Sequence, residues 1–164
     1  MRYATRVLFG FGLAVLMLPC GASESSPLQV TDAWIRSAPP GAQVMGGFAT
    51  LANPGPAPVV VTAARSDAFA MVEMHETTSE DGVSRMRAVP RLEIGPGATA
   101  RLEPGGLHLM LMRPRHEVAV GARVEVAFVL DDGTLLKVPF EVRPADAMEA
   151  GSGDHHDHAG HGHD

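Results

Sequence analysis

Clusters of glycine, proline and aspartate interrupt residues 28–143 at short intervals, and this punctuation limits what the chain can fold into more than any other feature. The clusters are Pro39-Pro40-Gly41, Asn53-Pro54-Gly55, Asp81-Gly82, Gly95-Pro96-Gly97, Pro104-Gly105-Gly106 and Asp131-Asp132-Gly133. Each presets φ or tolerates a positive value of it, and so favours a turn over a continued helix or strand. Between them lie short runs rich in β-branched and other apolar residues. They predict strands over 28–37, 44–52, 58–64, 71–78, 83–89, 98–103, 107–112, 123–130 and 135–142. Short strands at this regular spacing predict an all-β fold, an antiparallel sandwich or small barrel. No segment offers the apolar period of a long amphipathic helix.

At 164 residues the chain accommodates one domain with a sizeable core and is too short for two of ordinary size. Both ends fall outside that domain. Arg2 and Arg6 accompany a mostly apolar run over 7–18, and Cys20-Gly21-Ala22 supplies small residues for a cut after Ala22. Residues 1–22 therefore read as a cleaved secretory signal. The run is too short to stay in a bilayer as a spanning helix, so no membrane insertion is expected after cleavage. A cysteine closing such a run can carry a lipid, but Pro19 directly before Cys20 fits a lipoprotein cleavage box poorly. We expect a periplasmic protein rather than an anchored one. Cleavage after Ala22 removes the one cysteine of the chain, which leaves a thiol-free domain, residues 23–144, suited to an oxidising compartment. It also removes two of the 13 basic side chains and none of the 19 acidic ones, taking the formal net charge from −6 to −8. An acidic chain with no Lys/Arg cluster has no electrostatic footprint for nucleic acid.

The residues that carry chemistry sit within the β pattern. Ten residues separate His75 from Met86, twenty-one separate Met86 from His108, and Leu109 alone separates His108 from Met110. Imidazole nitrogens and thioether sulfurs, with no thiolate nearby, make a donor set that prefers soft Cu(I) to harder divalent ions. In 107–112 a period of two places Leu107, Leu109 and Leu111 on one face and His108, Met110 and Met112 on the other. The Cα atoms of His108 and Met110 are then roughly 6.5 Å apart, within reach of one shared ion. In 71–78 His75 shares a face with Glu73 and Met71, and Met74 points to the other. Asp81-Gly82 suits a two-residue hairpin turn, so the strand carrying Met86 is expected to fold back beside the one carrying His75.

A lone methionine in a β-protein is usually core filler. Met45, Met71 and Met74 are read that way. Met112 shares the His108 face and could serve as a spare ligand, but is assigned to packing. Glu73 is expected in solvent or beside His75, where it would hold the imidazole in one tautomer. His116 follows Arg113-Pro114-Arg115 in what reads as a loop, and is taken as a surface histidine.

The four-residue pattern and its flanking text resemble the signature of the periplasmic copper chaperone family written PCuAC. The text comprises Ala33-Trp34-Ile35-Arg36, Pro40-Gly41 before a Gly/Ala-rich strand, Val72-Glu73-Met74-His75-Glu76, and Pro104-Gly105-Gly106-Leu107-His108-Leu109-Met110-Leu111-Met112. The resemblance spans about 28–143. It implies a cupredoxin-like β-barrel that holds copper as Cu(I) through His75, Met86, His108 and Met110. It further implies delivery to a copper-accepting protein such as cytochrome c oxidase subunit II, whose centre is dinuclear copper, or to another copper assembly factor.

Beyond Pro144 the pattern dissolves into Ala, Gly, Ser, Asp and His, with too little apolar surface to pack, so residues 145–164 are expected to be a disordered metal-binding tail. Its last ten residues hold His155, His156, His158, His161 and His163, beside Asp154, Asp157 and Asp164. Imidazole with carboxylate suits Cu(II), Ni(II) and Zn(II) better than Cu(I), so a Cu(II) site is expected there. The interspersed Asp and Gly set the tail apart from a purification tag. An electron-carrying blue-copper protein would need a cysteine thiolate, which the mature chain lacks. No Ser/His/Asp, paired-carboxylate or nucleotide-binding constellation points to an enzyme. A general periplasmic copper or zinc buffer, or a metal-resistance protein, stays open beside the chaperone reading.

Overall fold

The computed structural model describes residues 28–146. The expected signal segment and the tail histidines lie outside them. Ten strands follow one another: β1 (Gln29–Arg36), β2 (Val44–Ala52), β3 (Val59–Arg65), β4 (Phe69–Glu80), β5 (Val83–Ala88), β6 (Leu92–Ile94), β7 (Thr99–Leu102), β8 (Leu107–Pro114), β9 (Arg123–Leu130) and β10 (Leu135–Arg143). Among the described residues there is no helix. All nine expected strands are present. β4 runs longer than expected at both ends, and β6 is an addition, three residues held against β3 through Val59↔Ile94 and Val61↔Leu92.

The strands run β4-β8-β2-β1-β10-β9-β3 around the molecule, and a β3–β4 contact at Ala64↔Val72 closes them into a seven-stranded barrel. β5 extends the sheet beyond β4, and β6 extends it beyond β3. Every pairing is antiparallel except β1 with β10. Alternation explains the core. Val124, Val126, Phe128 and Leu130 of β9 face Val138, Phe140 and Val142 of β10 in the interior, joined by Leu109 and Leu111 of β8, Leu51 of β2 and Ile35 of β1. Burying each large aliphatic or aromatic side chain contributes about 1.5–3 kcal/mol, and these interdigitated faces set the register of the outer ones. Gly47 of β2 is required by that packing, because a Cβ there would lie 2.8 Å from Leu111 Cδ1 and 3.2 Å from Leu109 Cβ.

Two irregularities position the outer face. The β4–β5 hairpin closes through Asp81 (φ 51°) and Gly82 (φ 76°), the paired positive values of a type I′ turn. β7 and β8 both run antiparallel to β2, beside Ala49–Ala52 and Val44–Gly47 respectively, as one strand broken by the Pro104-Gly105-Gly106 insert. That insert is held by Glu103 N–H donating to Leu107 O at 2.6 Å and Gly106 N–H donating to Glu103 O at 3.2 Å.

Candidate metal centre

β4 and β8 are neighbours in the barrel, and their register sets His75 directly opposite His108, Glu73 opposite Met110 and Met71 opposite Met112. Opposed residues on antiparallel strands leave the same face. Here it is the outer face, since Val72, Met74, Leu109 and Leu111 take the inner alternation. The two imidazoles are 6.3 Å apart between ring centroids and tilted by 40°. With a metal–imidazole bond of about 2.0 Å on each side, that is roughly the span of two rings sharing one ion.

Each ring is oriented by a partner of its own. His108, buried, directs Nδ1 at the Gly106 carbonyl at 2.9 Å. A carbonyl only accepts, so Nδ1 carries the proton and Nε2 keeps its lone pair. The same carbonyl accepts the Thr77 N–H at 3.1 Å, so the insert is tied to both β4 and β8. His75, half-buried, places Nε2 2.9 Å from Glu73 Oε2. The carboxylate accepts the hydrogen bond from Nε2–H, which leaves the lone pair on Nδ1. That Nδ1 is buried and has no hydrogen-bond partner among the protein groups, as a nitrogen available to a metal would be.

The methionines flank this pair. Met110 is half-buried on β8, two residues from His108. On its other side is Gly46 of β2, where a Cβ would lie 3.0 Å from Phe48 Cζ. Met86 on β5 is opposite Thr77, while Ala88 is opposite His75. Met86 therefore shares the outer face and sits diagonal to His75, a separation that long side chains bridge. It is 55% exposed. Met110 and Met86 thus lie towards opposite ends of the histidine pair. Among the described residues no three His, Cys, Asp or Glu side chains converge as a metal site.

Glu73 stands where expected, and His116 is exposed in its loop, with Nδ1 3.2 Å from Glu117 O. Met45 and Met74 are core residues. Met71 is not: it is 38% exposed on the outer face, because strand alternation groups it with His75 rather than with Met74. Sequence reasoning also missed an aromatic layer on the outside of the barrel. Trp34 and Phe48 are buried there, with ring centroids 4.6 Å apart. The Arg36 guanidinium lies over Phe48 and that of Arg143 over Trp34, each at 5.7 Å. The signal available was that Phe48 alternates against Ala49 and Trp34 against Ile35, which makes both strands apolar on two faces. Two surface groups of the β9–β10 hairpin titrate away from their ordinary values. The Thr134 N–H holds the Asp132 carboxyl low, and hydrogen bonding to Glu125 raises the Lys137 ammonium.

The LpqE-like family model matches residues 28–142, from just before β1 to within one residue of the end of β10. The chain belongs to the LpqE-like family. A relative from Leifsonia xyli subsp. xyli, Lxx21020, whose name describes it as a lipoprotein, is 29% identical over 142 residues and 84% of each chain. Among solved structures, this LpqE-like domain is similar to the apo PCuAC domain of PmoF2, with 19% identity, a TM-score of 0.62 and coverage of 74% of this chain and 93% of that one. The copper-bound form of the PmoF2 domain gives 17%, 0.61, 72% and 93%. The solution structure of CuI-DR1885 from Deinococcus radiodurans gives 26%, 0.59, 76% and 83%. The barrel therefore has the fold of PCuAC domains and is cupredoxin-like, as the resemblance implied.

Proposed function

We propose that this protein is an extracytoplasmic copper carrier that binds Cu(I) through His75, Met86, His108 and Met110. It would pass the ion to a copper-accepting protein such as cytochrome c oxidase subunit II. The observation that carries this reading is the cross-strand histidine pair. Each ring has one nitrogen anchored, to Glu73 or to the Gly106 carbonyl, and the other left for a ligand, on a face that also carries two thioethers. Two neutral imidazoles with two thioethers stabilise the reduced ion. The likeness of the fold to a copper-bound PCuAC domain and to CuI-DR1885 supports the same cargo.

The unequal exposure of the four donors suggests how copper leaves. His108 is buried, His75 and Met110 are half-buried, and Met86 stands out on the exposed β5. An acceptor ligand meets Met86 first and can replace it while the three more enclosed donors still hold the ion. Cargo then moves by ligand exchange without release to solvent. The expected secretory signal and the lipoprotein name of Lxx21020 both support a location outside the cytoplasm. The tail histidines His155, His156, His158, His161 and His163 would supply a separate Cu(II) site.

X-ray absorption on the reduced, copper-loaded protein tests the ligand set, with mixed sulfur and nitrogen scattering expected. Nitrogen and oxygen alone would overturn it. In cells lacking the protein, cytochrome oxidase activity should fall at low copper and recover as copper is raised, since a carrier matters most when its cargo is scarce. Unchanged oxidase activity with greater copper sensitivity would favour a buffer.

A further inference from the structure

β4 and β8 present a second thioether pair that the ligand set above leaves unused. Met71 lies directly opposite Met112, the next outward-facing pair after Glu73↔Met110 and the second after His75↔His108. Opposed Cα atoms on antiparallel strands are about 4.5–5.5 Å apart and their side chains leave the same face. The thioethers of Met110, Met112 and Met71 therefore line one outer strip that begins at the histidine pair. Packing does not account for it. Met45 and Met74, on the inner alternation, are 6% and 4% exposed, whereas Met71 is 38% exposed and Met112 is half-buried. A flexible apolar side chain on a solvated face has no core gap to fill. Val44, opposite Met112 on the β2 side and 44% exposed, keeps that flank apolar. Among the six residues of the three opposed pairs, Glu73 alone is an acid, and its charge lies between the two ends of the strip and favours a cation at either.

We propose that Met71 and Met112, sharing Met110 with the histidine site, form a second soft-metal position, a thioether-only station through which Cu(I) enters or leaves. Thioethers are soft, uncharged donors that need lose no proton, so the station selects monovalent soft ions and works across the whole physiological pH range. Lacking imidazole, it should fill after the histidine site. Its role as a station rests on the copper-carrier reading, whereas the binding itself does not.

The test is nuclear magnetic resonance of the mature full chain carrying 13C-methyl methionine, titrated with silver nitrate as a redox-inert substitute for Cu(I). Met71→Leu and Met112→Leu assign the two signals. The methyl signal of Met86 should shift first, and those of Met71 and Met112 should shift on further addition. In each single variant the later response of the remaining methionine should weaken at least tenfold while the Met86 response persists. Met71 and Met112 signals that stay fixed while Met86 moves would overturn the station and leave the histidine site standing. Movement of Met71 and Met112 with Met86 fixed would support the station and count against Met86 in the ligand set. If none of the three moved, both proposals would fall.

Discussion

A carboxylate on the far nitrogen of a metal-binding imidazole fixes the tautomer and raises the basicity of the nitrogen facing the metal. Glu73 is placed to do both for His75, with Oε2 2.9 Å from Nε2. Such partners typically change metal affinity by about 10–100-fold. The Glu73 side chain is 42% exposed, and solvent screening argues for the lower end. We therefore expect Glu73→Ala to weaken Cu(I) binding by about tenfold. Glu73→Gln should cost less, because its amide oxygen accepts the same N–H without the charge. Competition against a chromophoric Cu(I) chelator measures both, and wild-type affinity in the two variants would show that His75 needs no such support. His108 differs in kind. Its Nδ1 is anchored by the Gly106 backbone carbonyl, so no side-chain substitution removes that partner, and the anchor survives as long as the Pro104–Gly106 insert keeps its shape.

At the scale of elements, the sequence made legible what depends on neighbours along the chain. Alternation in 107–112 separated Leu109 and Leu111 from His108 and Met110, and the barrel interior keeps that division. Asp81-Gly82 announced the hairpin that brings β5 back beside β4. What was hidden depends on distant pairing. Nothing in the spacing requires His75 to stand directly opposite His108. That follows from β8 lying between β4 and β2, and from an insert that breaks the strand ahead of β8 and places Gly106 O at hydrogen-bonding distance from both His108 Nδ1 and Thr77 N. Met71 was misread for a different reason. Local alternation already grouped it with His75, and the reading as core rested on residue type alone. β6 escaped notice because three residues cannot display a period, and its pairing with β3 is set by tertiary contact. Trp34 and Phe48 illustrate a further limit, since a strand apolar on both faces does not announce which face meets the main core.

For the whole molecule, the question is whether the barrel and the histidine-rich tail act as one metal site or two. The last barrel strand ends at Arg143, so deleting residues 145–164 cuts outside the barrel and leaves His75, Met86, His108 and Met110 in place. The donors proposed for the tail are imidazoles and carboxylates, which prefer Cu(II), and those proposed for the barrel include two thioethers, which prefer Cu(I). Paired titrations of full-length and truncated protein should therefore lose the Cu(II) class and keep the Cu(I) class. A fall in Cu(I) affinity greater than about tenfold, or roughly 1.4 kcal/mol, would mean that tail histidines reach the barrel site and complete it. Acid separates the two sites further. Imidazole binds metal only when neutral, and thioethers do not titrate. The proposed barrel set draws half its donors from thioethers, for which no proton competes, whereas the tail needs several imidazoles deprotonated together. Its Cu(II) affinity should drop more steeply as pH falls, and equal slopes for the two metals would contradict the division of labour between barrel and tail.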